Sequence, residues 1–132
     1  MEYDGHSRTQ LLLALDINTI GGAVENGNVI DTVDFESLEF ALFTGQYSSG
    51  DYDIQLQESD TGAFAGEENI VGEDDLIGTP TTLSGADELT RVGYGGKKRY
   101  CRLTSLGINS PIAIITALAI LGRPRSMPVA NQ

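Results

Sequence analysis

The sequence holds one cysteine, Cys101, one histidine, His6, and no tryptophan. A single cysteine excludes an intramolecular disulfide framework and any cysteine-based zinc cluster, because both need several sulfurs. A lone histidine between Gly5 and Ser7 leaves Ser–His or Cys–His catalysis to a terminal arm with little to hold it in place. Long apolar runs are also missing. Residues 11–15 supply five and the ten residues 112–121 supply nine around Thr116, short of the roughly 20 that span a bilayer. The first run is also too short for a signal-peptide core. The expectation is a soluble chain made in the cytoplasm, and a lone Cys101 fits that reducing setting.

Positive charge is scarce, and its scarcity is uneven. All 19 acids lie in the first 88 of the 132 residues, where Arg8 is the only base, a net of −18. From Arg91 onward there are seven bases (Arg91, Lys97, Lys98, Arg99, Arg102, Arg123, Arg125) and no acid, a net of +7, and the two parts return the whole-chain −11. So acidic a balance disfavours broad nucleic-acid binding, since phosphates must be neutralised by bases. The split by sign suits either a solvated surface or strands that pair with an acidic half or an acidic neighbour.

What the chain does have is period-two patterning, the mark of half-buried strands. In residues 37–44, Leu38, Phe40 and Leu42 alternate with Glu39 and Ala41; in residues 51–58, Tyr52, Ile54 and Leu56 alternate with Asp53, Gln55 and Gln57. Gly45 and Gly50 bracket a serine-containing connection between them, so a hairpin is predicted there. Weaker strands are expected at 10–17 and 28–33, with Gly21-Gly22 and Asn26-Gly27 supplying turns. Residues 59–78, rich in acids and glycines, read as a long surface loop with a short helical turn near Glu73. Strands follow at 88–94, 97–106 and 112–121, the last stopped by Gly122 and Pro124.

Seven or eight short strands with glycine-rich turns and no amphipathic helix predict an all-β, single β-sandwich or jelly-roll-like domain. It would span residues 10–122, flanked by an N-terminal arm (1–9) and a C-terminal tail (123–132). The prolines of RPRSMPV keep that tail extended. The strand at 112–121 is apolar on both alternations: Ile112, Ile114, Leu118 and Ile120 on one, Ala113, Ile115, Ala117, Ala119 and Leu121 on the other. One face covers the core. The other is covered by the arm or a loop, or it is a subunit interface.

Chemistry is harder to find. Cys101 alternates with Leu103 and reads as a small core residue, although the neighbouring Arg99 and Arg102 would lower its pKa if it were exposed. Carboxylates are so abundant in the 58–75 region that close pairs arise by chance. That region lacks the DxDxDG spacing of a calcium loop. The segment VGYGGK (92–97) lacks the phosphate-loop pattern and a following helix, and reads as a tight strand-to-strand turn. Bases 97–99 sit on too acidic a body to attract nucleic acid and are expected to pair with acidic loops of this or a neighbouring subunit.

Three segments, in order, resemble a group of small tailed-phage virion proteins encoded near the major capsid protein. They are GQYSSGDYDIQLQESDTG (45–62), RVGYGGKKRYCRL (91–103) and ALAILGRPRSMPV (117–129). The resembling features are the ESDxG turn, the GYxGxKRYxR stretch and the closing LGxPxxxPV. The resemblance covers residues 34–129; residues 1–33 do not align. It implies a non-enzymatic capsid decoration (cement) protein on the virion exterior, made in the host cytoplasm. Its partners would be the major capsid protein and further copies of itself, most simply as a trimer, with no cofactor, nucleic acid or membrane. The contacts expected between subunits are Lys97, Lys98, Ile115, Leu121, Arg123 and Arg125. A neck, tail or head-fibre (spike-base) component is the alternative within the virion. A carbohydrate-binding module is the more remote one, disfavoured by the missing tryptophan, and an enzyme comes third.

Overall fold

The structure is a computed structural model that describes residues 9–20, 24–64, 69–78, 82, 83 and 85–124. The described residues form an all-β, sandwich-like fold. Its strands are β1 (Gln10–Ile20), β2 (Val24–Asn26), β3 (Ile30–Asp31), β4 (Phe35–Ser59), β5 (Leu76–Ile77), β6 (Thr82–Leu83), β7 (Leu89–Tyr94) and β8 (Tyr100–Pro124). A 3-10 turn, Glu73–Asp75, stands where a helical turn is expected.

Two of these strands run for 25 residues each. Straight, each would reach roughly 80 Å, several times the radius of so small a domain, so both must bend. They lie antiparallel along nearly their whole length and bend together. The first layer holds β1, the C-terminal half of β8, the N-terminal half of β4, β7 and β5, in that order. The second holds β2 and β3 against the N-terminal half of β8, then the C-terminal half of β4 and β6. Hydrogen bonding passes through β4 and β8 from one layer to the other, so the layers are halves of one folded eight-stranded sheet.

The bend replaces the hairpin expected at residues 45–50. β4 pairs with β8 on both sides of it, from Thr44↔Ile115 to Asp51↔Ile108, with register shifts at Thr44/Tyr47, Tyr47/Ser49 and Ser49/Asp51. Gly50 turns there with φ 75°, and the Tyr47 hydroxyl donates to its carbonyl oxygen. The strands expected at 97–106 and 112–121 are likewise one strand. Pro111 falls in the gap between the Ile108 and Ile112 pairings, where no ladder bond is asked of it. The VGYGGK segment is not a turn between paired strands either. β7 pairs with β4 in the first layer, and β8 begins against Ser59 in the second, so residues 95–99 cross between layers.

The layers close over one core. Leu38, Phe40 and Leu42 face inward from the first, Tyr52, Ile54 and Leu56 from the second, and all six are buried. On the first layer Phe40 lies opposite Ala119 and Leu42 opposite Ala117, so each large side chain sits beside a small one. Cys101 and Leu103 are fully buried, beside Ile30 and Leu56 on the neighbouring strands.

Polar ties fasten the two edges. Gly27 N–H donates to Leu103 O (2.7 Å) and Asn28 N–H to Ala14 O (2.8 Å), joining β8 of the second layer to β1 of the first. At the opposite edge the Tyr94 hydroxyl donates to Glu58 Oε1 (2.6 Å) and accepts from Lys98 N–H (3.0 Å). Burial and the adjacent Glu58 carboxylate push the Tyr94 phenol well above its ordinary range. The loop after β4 is not wholly surface: Val71 is buried, and its N–H donates to Leu56 O.

Candidate functional site

The outer faces of the layers carry what chemistry there is. On the first layer, residues in register share a face. One outward row reads Leu13, Leu118, Ala41, Arg91 from β1 to β7. The next reads Leu11, Ile120, Glu39, Gly93, Ile77, and a third reads Asp16, Thr116, Phe43, Leu89. Leu89 is 74% exposed, Ile77 65%, Leu11 55% and Leu13 45%. Leu118 and Ile120 on this face are half-buried. Arg91 and Glu39 (3.4 Å) cancel one another in its middle.

This corrects the expected contacts. Ile115 and Leu121 are 0% exposed and belong to the core, because the alternation that carries them also carries Ala117 and Ala119 beside Phe40 and Leu42. The outward alternation is Ile114, Thr116, Leu118 and Ile120. Larger aliphatic side chains therefore face outward on β8 than at the centre of its core face. Leu11, Leu13, Phe43, Ile77 and Leu89 escaped the sequence reading. Phe43 carried a signal, since it breaks the alternation set by Leu38, Phe40 and Leu42.

The outer face of the second layer is polar. Asp53, Gln55, Gln57, Arg102, Thr104 and Asn26 lie on it, with Leu106 and Ile70 as exposed large apolar side chains. Arg102 donates from Nε to Gln57 Oε1 (2.8 Å) and stacks 4.4 Å from the Phe64 ring centre, so its charge is already engaged.

Of the remaining expected contacts, Lys97, Lys98 and Arg123 lie at one end of the sandwich. Lys97 is exposed and Lys98 half-buried, both in the crossover between β7 and β8. Arg123 is exposed at the end of β8 with φ 52°, flanked by Gly122 and Pro124, which pair with Ser37 and Phe35. Arg125 and His6 lie outside the described residues. Next to Lys97 and Lys98, Arg99 grips Asp31 through Nε (2.9 Å) and Nη2 (2.8 Å), holding that carboxyl below its ordinary range. A cavity of about 380 Å³ opens here, walled by residues 32, 33 and 35–38 and by Tyr94 and residues 96–99.

As to reactive groups, burial and the nearby Glu58 charge push the Cys101 thiol up to about 12, which leaves it protonated at neutral pH. No group of three or more histidine, cysteine or carboxylate side chains suited to a metal occurs among the described residues. Glu67 and Glu68, of the loop weighed for calcium, lie outside them. No family model, curated protein or solved structure matches the chain.

Proposed function

We propose that the chain is a virion structural protein that decorates an assembled capsid, binding across neighbouring capsomers through the outer face of its first layer. The observation that carries this reading is the orientation of β8: Ile114, Leu118 and Ile120 point outward while Ala117 and Ala119 point in. Large contiguous apolar patches are uncommon on monomeric proteins and accompany association surfaces. A bound copy that buries this face must be stripped off before the shell opens, which stabilises the assembled state by mass action. The face is electrically neutral at its centre, where Arg91 and Glu39 pair, so the −11 of the chain does not oppose contact there. The order of the three resembling segments supplies the capsid context. A raised, buried thiol is a poor nucleophile, in keeping with a structural role.

The test is the protein's place and stoichiometry in purified particles, with its mass in solution by light scattering. Copy numbers on the scale of the capsid lattice and a mass several times 14.1 kDa support the reading. A copy number matching one ring favours the neck, tail or spike-base alternative. Absence from particles together with a monomer at tens of micromolar overturns it.

A further inference from the structure

The basic end of the sandwich adjoins the apolar outer face, one register row beyond Glu39 and Ile120, and has its own chemistry. Three of the six described bases are engaged: Arg91 with Glu39, Arg99 with Asp31, and Arg102 with Gln57 and Phe64. Lys97 and Lys98 have neither an ion pair nor a side-chain hydrogen bond among the described residues, although the chain carries 19 acids. Both line the cavity at this end.

The backbone around them is fastened, while their ammonium groups are not. Gly95 N–H donates to Asp75 O (2.7 Å) and Lys98 N–H to the Tyr94 hydroxyl, and Arg99 O accepts from both the N–H (2.8 Å) and the hydroxyl (2.7 Å) of Thr32. The loop is thus held ready, and a ligand need not order it. The cavity's other polar groups are largely consumed: Thr32 Oγ1 on Arg99 O, the Tyr94 hydroxyl on Glu58 and Lys98 N–H, the Arg99 guanidinium on Asp31. What remains is two ammonium groups, the Ser37 hydroxyl, one acid (Glu36), and an apolar wall of Val33, Phe35 and Leu38. Sugar recognition needs several free hydrogen-bonding groups. A carboxylate beside an apolar side chain needs only point charges and a hydrophobic wall, which is what lysines and this wall supply.

We infer that this cavity binds an acidic peptide segment, with its carboxylate at Lys97 and Lys98 and an adjoining apolar side chain against Val33 and Phe35. The inference does not rest on the capsid reading and stands or falls separately from it. The probe is a blocked tetrapeptide, acetyl-Phe-Asp-Asp-Leu-amide, titrated into the full chain and followed by amide chemical shifts. Shifts are expected at Gly96, Lys98 and Ser37. Binding should weaken about tenfold in the Lys97→Gln/Lys98→Gln double variant and fall as salt is added, since exposed ion pairs are screened. Glu36→Gln, which removes the cavity's own acid, should tighten binding by about twofold, from the same scale of exposed-charge energies. It also keeps the test decisive if the double variant misfolds. Equal binding of the Asn-for-Asp peptide, equal shifts from acetate alone, or no shift at millimolar peptide would each overturn the inference.

Discussion

The outer faces of the two layers are built from the same two long strands and differ in what they offer to solvent. Along β4, outward positions of the second layer read Asp53, Gln55, Gln57; on the first they read Glu39, Ala41, Phe43. Along β8 the second layer turns Arg102 and Thr104 outward, whereas the first turns out Ile114, Leu118 and Ile120. Inside, both layers are mainly apolar and comparably buried, with Thr44 in the first and Ser105 in the second as buried hydroxyls. Core burial therefore accounts for one face of each layer, and it leaves the apolar outer face of the first unexplained.

That difference can be broken or sharpened by substitution. The largest effect is expected where the layers join. A Cβ at Gly27 would run into the carbonyl oxygens of Ala14 and Leu103, which are backbone and cannot rotate away. Gly27→Ala should cost about 3 kcal/mol, the upper end of overpacking penalties, and both layers should melt together in chemical denaturation. Separate transitions would show that the layers are less coupled than their shared strands imply.

Next comes the contrast between the outer faces. Leu118→Asp should weaken self-association about tenfold or more while changing the subunit's own stability by about 1 kcal/mol or less. Gln55→Asp, on the polar face, should leave association intact and stability within about 0.5 kcal/mol. Sedimentation velocity and thermal melts read both. Equal effects from the two substitutions would remove the distinction between the faces.

The smallest effect is expected at the Asp31–Arg99 pair, which is largely exposed. The pair holds the Asp31 carboxyl below its ordinary value of 3.8. A carboxylate lowered in the folded state adds stability above its unfolded value and loses it as pH falls through the folded one. Asp31→Asn should therefore be slightly less stable at neutral pH, and the gap should close in strong acid. A gap that persists there would point to packing rather than charge.

Much of this was legible along the chain, and the misses share one cause. Alternation located β1, β7 and both halves of β4 and β8, and it marked Cys101 as core. It did not join the halves: Gly45, Gly50 and two serines satisfy a hairpin as well as a bend, and the choice lay with Ile108, Ile112 and Ile115, more than 50 residues away. The site was half legible for the same reason. Lys97, Lys98 and Arg123 stand out in the sequence as bases expected at subunit contacts, but only the crossover of 95–99 and the Gly122–Ser37 pairing set them at the end that holds a cavity.

By itself, the sequence determined that this is an all-β chain, that residues 112–121 are apolar on both alternations, and that charge divides by sign near Arg91. Local periodicity and composition suffice for those. The tertiary structure alone decided that Ile115 and Leu121 are core while Leu118 and Ile120 are surface. Period two is unchanged when a strand is turned over, and only the fit of Phe40 and Leu42 against Ala119 and Ala117 selects which side faces in.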